Sequence, residues 1–501
     1  MTRKISATMI SQHPDHAGKP YWHTEEFIST QHETFECYLS FSELGVSEYK
    51  WDWEGKLVDE SVMERLLSQY YEFFKTHPLG YDKFLTFRLP NPKVETEFRI
   101  GRAFMGILSA DMIARQYGFY SPPLFEVILP MTTSAKEMIA VQEAFREIAS
   151  LKHQLYRMSD RNLRHIELIP LFEDVDTIMN SDKILYTYLK MHKQKFKFRP
   201  SYMRPYVARS DPALNAGLVP TVLAIKVALS KYKEFSEKED IALYPIIGSA
   251  SLPFRGGLSP LTIESFANEY KGVRTALIQS AFRYDYEKKD VINGVKKLEK
   301  LLTQQPQPVS DKEEKEIREM VVFFEEFYRP VIEEIAEQIN SISVMLPRRR
   351  ERVQHIGLFG YSRGVGKVKL PRAIGFTAAL YSMGVPPELI GTGRGIQKAK
   401  SLGLLSTLEK HYINIKQDLQ RAGRFLNKEN LGYLVKQNKA WSDVENDVKE
   451  IEKYLGESLG PKTKEEKLHK KKTTEIVKKI EMEVSLGKLI QEAAVLRKSL
   501  G

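Results

Sequence analysis

The run Ile166-Glu-Leu-Ile-Pro-Leu-Phe-Glu173 is apolar and ends on a carboxylate, and a second such run, Arg204-Pro-Tyr-Val-Ala-Arg-Ser-Asp211, follows it. Short apolar runs of this kind are typical of strands buried in a sheet. If the two strands are neighbours, Glu173 and Asp211 lie together at the rim of that sheet. Two carboxylates there would suit Mg²⁺ or Mn²⁺. The pair therefore predicts metal-assisted chemistry on an oxygen-rich substrate.

Strand-like runs alternate with helical patterns from the first residues to about residue 301. Eight runs are predicted to be strands: Ala7–Ser11, Glu36–Phe41, Phe84–Arg88, Leu124–Pro130, His165–Phe172, Met203–Arg209, Ala242–Gly248 and Thr275–Phe282. Parallel strands need long crossovers, which are usually helical. Eight such units indicate an α/β fold, a (β/α)₈ TIM-type barrel over residues 1–301 that carries the active site. An open doubly wound sheet is the alternative, but no Gly-x-Gly-x-x-Gly follows an early strand.

The remaining part, residues 302–501, is predicted to be wholly helical. Ser310-Asp-Lys-Glu313 forms a capping box that opens a long helix. We expect these helices to pack on the barrel as part of one structural unit.

Composition limits the classes of protein that remain. The chain has 501 residues, 42% of them hydrophobic, and no apolar run long enough for a membrane span. The single cysteine, Cys37, disfavours disulfides and thiolate zinc sites and makes the cytosol the expected compartment. The net charge of +10 fits nucleic-acid binding or an anionic small substrate. Part of that charge is local, because residues 461–472 are lysine-rich, as in an exposed loop and helix start.

The active site of such a barrel lies at the C-terminal ends of its strands. Beside the two carboxylates, these ends carry a histidine, several arginines and a glutamine: His13, Arg88, Arg209, Arg255, Gln279 and Arg283. Arginine forks match phosphate and carboxylate oxygens in two-point contacts. In Arg255-Gly-Gly257 the glycines allow the backbone to approach an anion closely. The set suits a small phosphorylated acid held on a divalent metal.

Each of these residues also has a structural interpretation. Glu173 and Asp211 could be capping or ion-pairing groups, although their position on consecutive strands favours a shared role. His13 could be a structural histidine, and Arg88 and Arg283 surface arginines.

Residues 361–367, Tyr-Ser-Arg-Gly-Val-Gly-Lys, only superficially resemble a phosphate loop, since the spacing is wrong and no Ser or Thr follows Lys367. A glycine-rich lid that carries Arg363 is the better interpretation.

The order of motifs resembles the phosphoenolpyruvate carboxylase family, in its short archaeal type, over nearly the whole chain. The matching segments are Ser11-Gln-His-Pro-Asp15, Pro170-Leu-Phe-Glu173, Arg209-Ser-Asp-Pro-Ala-Leu-Asn-Ala-Gly217, Phe254-Arg-Gly-Gly257 and Leu370-Pro-Arg-Ala-Ile374. The resemblance implies that His13 is the catalytic histidine, that Glu173 and Asp211 are the metal ligands, and that Arg255 and Arg372 act on the substrate. Further substrate contacts are then expected from the remaining candidates, which are Arg88, Arg209, Gln279, Arg283 and Arg363.

The same resemblance implies the activity: phosphoenolpyruvate and bicarbonate give oxaloacetate and phosphate, with Mg²⁺ or Mn²⁺ as cofactor. It also implies a homotetramer and places Gly501 near the active site, while no nucleic acid or membrane partner is expected. An alternative is another metal-dependent barrel, a lyase or aldolase acting on pyruvate-like enolates. A remote alternative is a basic helical protein that binds nucleic acid.

The sequence departs from the long, plant- and bacterial-type enzymes at two places. Ile247-Gly-Ser-Ala-Ser251 stands where those enzymes have His-Gly-Arg-Gly-Gly, and Leu214-Asn215 stands where they have Lys-Asp. A second histidine and arginine are therefore missing from those positions. Either other arginines substitute for them, or the details of carboxylation differ.

Overall fold

A closed barrel of eight parallel strands forms the centre of the molecule. The structure is a computed structural model that describes residues 3–23, 25, 27–95, 98–151, 163–347, 352, 368–480 and 486–501. The strands are β1 Thr8–Ser11, β2 Glu48–Asp52, β3 Phe84–Arg88, β4 Glu126–Leu129, β5 Glu167–Phe172, β6 Tyr202–Met203, β7 Tyr206–Val207, β8 Ala242–Leu243, β9 Ile246–Ile247 and β10 Thr275–Ile278. Around the barrel the order is β1-β10-β9-β7-β5-β4-β3-β2, and β6 pairs with β8 outside it. The predicted (β/α)₈ barrel is confirmed.

Helices surround the barrel and fill the rest of the described chain. Those that accompany the barrel are α1 Thr30–Ser42, α2 Val62–Gln69, α3 Tyr71–Thr76, α4 Arg99–Gln116, α5 Ala135–Ala149, α6 Val175–Met179, α7 Ser181–Phe196, α8 Ser210–Ala216, α9 Leu218–Glu239, α10 Ile263–Glu269, α11 Ser280–Tyr284 and α12 Lys288–Leu301. Those that follow are α13 Asp311–Ser343, α14 Ala373–Met383, α15 Thr392–Ser401, α16 Leu405–His411, α17 Ile415–Gly423, α18 Lys428–Gln437, α19 Trp441–Leu455, α20 Lys464–Ile480 and α21 Gly487–Leu496.

The predicted second strand, Glu36–Phe41, is wrong, because these residues lie within α1. Cys37, Leu39 and Phe41 alternate with polar residues as in a strand, yet the buried face also includes Glu33 and Glu36 at helical spacing. Buried cations make that burial possible: Arg352 and Arg283 contact Glu36, and Lys56 contacts Glu33. The sequence of α1 alone does not show these partners.

The true second strand is β2, whose residues alternate between aromatic and charged. Tyr49 and Trp51 face the surrounding helices and belong to the main hydrophobic core. Glu48, Lys50 and Asp52 therefore face the barrel interior, since successive side chains of a strand point to opposite sides. A strand with inward charges lacks the apolar run by which the other strands were predicted.

The middle of the barrel is filled by an apolar layer, and charged residues lie beyond it at each end. The layer is a separate buried cluster made by Met9, Ile128, Ile169, Leu171, Tyr206, Ala208, Ile246 and Leu277. At the N-terminal end, Arg204 donates to Glu48 and Glu126, at 2.8 Å in each case. These bonds connect the segment before β7 to β2, on the opposite side of the barrel, and to β4, and they close that end. The C-terminal end of the barrel is therefore the end at which an active site can form.

The helices after the barrel begin with α13, which packs on α9, α14 and α15. Ser310 and Glu313 form the predicted capping box at its start. The division at residues 301 and 302 stays a prediction. Among the described residues, no helix combines the length and apolarity needed to cross a membrane.

Candidate active site

His13 follows β1 at the C-terminal mouth of the barrel. Its Nδ1 lies 2.9 Å from the hydroxyl of Ser11, the last residue of that strand, and this contact orients the ring. Burial, together with the positive charges of Lys50 and Arg88, lowers the pKa of His13 well below its usual value. A neutral imidazole at this position can accept a proton from a bound substrate.

Arg88, at the end of β3, is held in a two-point contact. Its Nε and Nη2 each donate to Asp52 at 2.6 Å, and its Nη1 lies 2.5 Å from Glu54 Oε2. The same Glu54 oxygen lies 3.8 Å from Nη2 of Arg372, the residue before α14. Glu54 therefore brings Arg88 and Arg372 together from distant parts of the chain. The Arg372 side chain is 52% exposed, so its guanidinium is accessible at the mouth.

Lys50 lies deeper in the same wall of the site. It is 0% exposed, and its Nζ lies 3.6 Å from Asp52 Oδ2 without forming a hydrogen bond. Burial and the Arg88 cation lower the pKa of Lys50 to about 8, against the opposing effect of nearby carboxylates, Glu173 among them. Ser11, which contacts His13, is the cross-strand neighbour of Lys50. Lys50 and His13 thus border the same space.

Arg255 forms the opposite wall and is fully enclosed. Its Nε donates to Ser210 at 3.0 Å, its Nη2 donates to Gln279 at 2.8 Å, and its Nη1 donates to a backbone oxygen of Gly501. Asp15 Oδ2 lies 3.6 Å from the same guanidinium. Two predicted site residues, Arg255 and Gln279, are therefore in direct contact, and Gly501 lies beside them as the family resemblance implies.

Gly501 is seated by several backbone contacts. The amide of Leu500 donates to the Asp15 carbonyl at 2.7 Å, and the Ser499 hydroxyl donates to the same carbonyl at 3.3 Å. A Cβ on Gly501 would meet the backbone of Ile374 and Ala378 at the start of α14. The close fit holds this segment against the loop that follows β1.

Glu173 and Asp211 follow neighbouring barrel strands, β5 and β7. The Glu173 carboxylate accepts a hydrogen bond of 2.8 Å from the Met131 amide, while Asp211 lies in the first turn of α8. The pKa of Tyr206 is raised, mainly by burial, and both carboxylates add to that effect. Both carboxylates therefore lie within electrostatic range of Tyr206 on β7. Their hard oxygen donors fit a divalent cation such as Mg²⁺.

Two predicted substrate residues make other contacts. Arg209 donates to the Tyr270 hydroxyl and to the carbonyls of Pro253 and Phe254, so it supports the loop that carries Arg255. Arg283 contacts Glu36 of α1 at 3.0 Å and the Ser11 carbonyl at 2.9 Å, behind β1. The structure does not bring either guanidinium together with the groups at the mouth. Arg363 and the predicted lid lie outside the described residues.

Sequence reasoning missed Lys50, Asp52 and Glu54, which lie on β2 and just after it. A usable signal was present, because Glu48-Tyr-Lys-Trp-Asp-Trp-Glu54 alternates charges with aromatic residues. In a parallel barrel both faces of a strand are covered, so a charged face must line the interior.

Comparisons with known proteins agree with the motifs. A family model described as phosphoenolpyruvate carboxylase matches residues 5–501. A protein named phosphoenolpyruvate carboxylase from Leuconostoc mesenteroides is 41% identical over the full length of both chains. Proteins of the same name from Metallosphaera sedula and Methanothermobacter thermautotrophicus are 39% and 37% identical, and each alignment covers 99% or more of both chains.

Proposed function

Since the chain belongs to the phosphoenolpyruvate carboxylase family, in its archaeal type, we propose that it converts phosphoenolpyruvate and bicarbonate to oxaloacetate and phosphate. The observation that carries the proposal is the meeting of His13, Lys50, Arg88 and Arg372 in one wall of the barrel mouth. A neutral base among fixed cations suits a reaction between two anions that also needs a proton acceptor.

The first step joins the two substrates. An oxygen of bicarbonate attacks the phosphorus of phosphoenolpyruvate, and the bond from phosphorus to the enol oxygen breaks. The products are carboxyphosphate and the enolate of pyruvate. Arg88 and Arg372 neutralise the phosphoryl oxygens and orient the phosphorus. Their carboxylate partners, Asp52 and Glu54, hold Arg88 in place before the substrate arrives, which is the condition for strong electrostatic stabilisation.

The second step forms the carbon–carbon bond. His13 accepts the carboxyl proton of carboxyphosphate, whose bond between carbon and the bridging oxygen then breaks to give CO₂ and phosphate. The methylene carbon of the enolate bonds to CO₂ and gives oxaloacetate, and His13 returns its proton to phosphate. Water must be excluded meanwhile, because it would protonate the enolate.

Glu173 and Asp211 would hold the divalent cation, Mg²⁺ or Mn²⁺. When bound, the ion would supply Lewis-acid stabilisation of negative charge on the enol oxygen. The Met131 amide donates to the Glu173 carboxylate and so restricts its orientation.

A homotetramer is also part of this proposal, and sedimentation of the purified protein tests it.

The test is an assay of phosphoenolpyruvate consumption, oxaloacetate formation and phosphate release. All three should require both bicarbonate and a divalent metal, and EDTA should abolish them. Glu173→Ala should lose activity and bind Mn²⁺ more weakly, as measured by electron paramagnetic resonance. Asp174→Ala is the matched control, because that neighbouring carboxylate caps α6 through the Thr177 amide. Full activity in EDTA or in Glu173→Ala would rule out the metal assignment.

The same assay separates the alternative enzyme class. A lyase or aldolase acting on a pyruvate-like enolate would share the carboxylate pair, but it would need no bicarbonate and release no phosphate.

A further inference from the structure

Lys50 is the starting point, because it is a buried cation whose hydrogen-bonding capacity is not used. It is fully enclosed, and its Nζ has no hydrogen-bond partner in the described part of the chain. The nearest carboxylate oxygen in an ion pair with it, Asp52 Oδ2, is 3.6 Å away. That carboxylate already accepts two bonds of 2.6 Å from Arg88. Three donors on the ammonium therefore lack an acceptor.

The other buried lysines among the described residues are satisfied. Lys56 Nζ lies 2.7 Å from Glu33 and 3.2 Å from Gln12. Lys83 donates to the Val46 carbonyl at 2.9 Å, and Lys226 pairs with Glu269 at 2.9 Å. Since a buried charge without hydrogen bonds is costly, an unsatisfied lysine in the centre of a barrel indicates a place for an anionic ligand.

The surroundings of Lys50 indicate which end of the reacting molecule it faces. Ser11 pairs with Lys50 across β1 and β2, and the Ser11 hydroxyl contacts His13. The charge of Lys50 also acts on the imidazole of His13. After burial, it is the largest influence on the pKa of His13. The ammonium and the imidazole therefore border one space, while Arg88 meets Arg372 on the outer side at Glu54.

We propose that Lys50 is the bicarbonate-binding residue of this site, a deepening that rests on the proposed function. His13 must reach the carboxyl proton of carboxyphosphate, so the carbon that comes from bicarbonate lies beside His13. The ammonium of Lys50 donates to the oxygens of bicarbonate and, after the first step, to the carboxyl end of carboxyphosphate. The phosphoryl group lies on the side of Arg88 and Arg372. Lys50 thus fixes the attacking oxygen in line with the phosphorus.

The test compares Lys50→Met with Lys56→Met in steady-state kinetics. In Lys50→Met we expect the KM for bicarbonate to rise by about tenfold to a hundredfold, the usual worth of hydrogen bonds from a charged donor. The KM for phosphoenolpyruvate should change little. Lys56→Met removes a buried lysine six residues further along the chain. Its partner, Glu33, still has Arg352 as an ion-pair partner in this variant. It should leave the ratio of the two KM values unchanged.

A stability measurement gives a second readout. Removal of a buried ammonium that makes no hydrogen bond, and whose ion-pair partner Asp52 keeps Arg88, should leave the Tm of Lys50→Met equal to or above that of the wild type. Bicarbonate, added at constant ionic strength against chloride, should raise the Tm of the wild type and not that of Lys50→Met. If Lys50→Met does not fold, Lys50→Gln, which keeps a polar side chain of similar length, takes its place.

The outcomes separate this inference from the function on which it rests. Wild-type activity without a need for bicarbonate would overturn both. A carboxylase whose Lys50 variants raise the two KM values equally, or raise only that for phosphoenolpyruvate, would overturn the assignment of Lys50 alone. A selective loss of bicarbonate affinity together with the lost Tm shift would support it.

Discussion

Both ends of the barrel contain buried charged side chains, but these side chains differ in their hydrogen-bond partners. At the N-terminal end, Glu48 and Glu126 share Arg204 and Arg3, with distances of 2.8–2.9 Å for the Arg204 contacts. At the C-terminal end, Lys50 Nζ and Asp15 Oδ2 have no hydrogen-bond partner among the described residues. One strand, β2, supplies Glu48 to the first end and Lys50 to the second. The difference is that arginines bond both glutamates at the first end, whereas the Lys50 ammonium makes no hydrogen bond at the second.

The largest effect should follow from removing the proton acceptor of the reactive end. His13→Asn should reduce oxaloacetate formation by on the order of 10²–10⁴-fold, the usual contribution of a general base. Phosphoenolpyruvate binding should persist, because the arginines remain, and some substrate should be hydrolysed to pyruvate. Separate assays of oxaloacetate and pyruvate measure this. His77→Asn changes a half-exposed histidine paired with Asp82 and serves as the control. An unimpaired His13→Asn enzyme would exclude His13 as the base.

At the N-terminal end the expected loss is in stability. Arg204→Met removes one of the two arginines that pair with the buried carboxylates of Glu48 and Glu126. The loss should lower the free energy of unfolding by about 3–5 kcal/mol. The KM values of the folded protein should stay unchanged, since the apolar layer separates this cluster from the site. Urea unfolding followed by fluorescence, combined with steady-state kinetics, checks both points. Arg204→Met/Glu126→Gln should recover part of the loss. A change in KM without a loss of stability would contradict the comparison.

The difference between the two barrel ends also explains which parts of the fold and of the site could be predicted from the sequence. The barrel was predictable because strands such as β3 and β5 are apolar runs between helical patterns. The carboxylate pair followed from its place at two strand ends. The rest depends on long-range partners: Arg283 meets Glu36 across 247 residues, and Arg209 meets Tyr270. Nothing local to these arginines shows that a distant group already occupies them. β2 was missed although its alternation of charged and aromatic residues is visible in the sequence, because inward charges become favourable only inside the closed barrel.

The two ends should also differ in their response to pH. Arginine neighbours lower the pKa of Glu48 to about 2, although burial opposes them. Its contribution to stability is therefore present above about pH 4.5, its usual value, and is lost as the pH falls toward 2. Glu388 accepts bonds from the Phe254 amide and the Tyr381 hydroxyl beneath the Arg255 loop, and burial raises its pKa to about 7. The protonated Glu388 side chain therefore makes its full contribution to the free energy of unfolding below about pH 4.5. This contribution is lost as the pH rises through 7.

Glu388→Gln isolates this second dependence. Between pH 4.5 and a pH above 7, the stability of the variant relative to the wild type should shift in its favour by up to about 3 kcal/mol. Urea midpoints measured across that range test the shift. Glu457→Gln changes a half-buried surface carboxylate whose pKa is lowered by Lys462 and Gln420, so it should not show this trend. A stability difference independent of pH would mean that folding does not raise the pKa of Glu388.

The smallest effect concerns the wall formed by Arg255. In Gly501→Ala the new Cβ would meet the Ile374 carbonyl and, at 2.7 Å, the Ala378 amide nitrogen, so the segment must move. Arg255 would then lose the contact from its Nη1 and keep those to Ser210 and Gln279. Loss of one charge-assisted bond amounts to about 1.5–3 kcal/mol, and we expect kcat to fall by about tenfold. Gly432→Ala, on α18 with open space around it, should be neutral. If Gly501→Ala keeps full kcat, Arg255 does not need this contact during the reaction. The reactive wall would then reduce to the side that contains Lys50, His13 and Arg88.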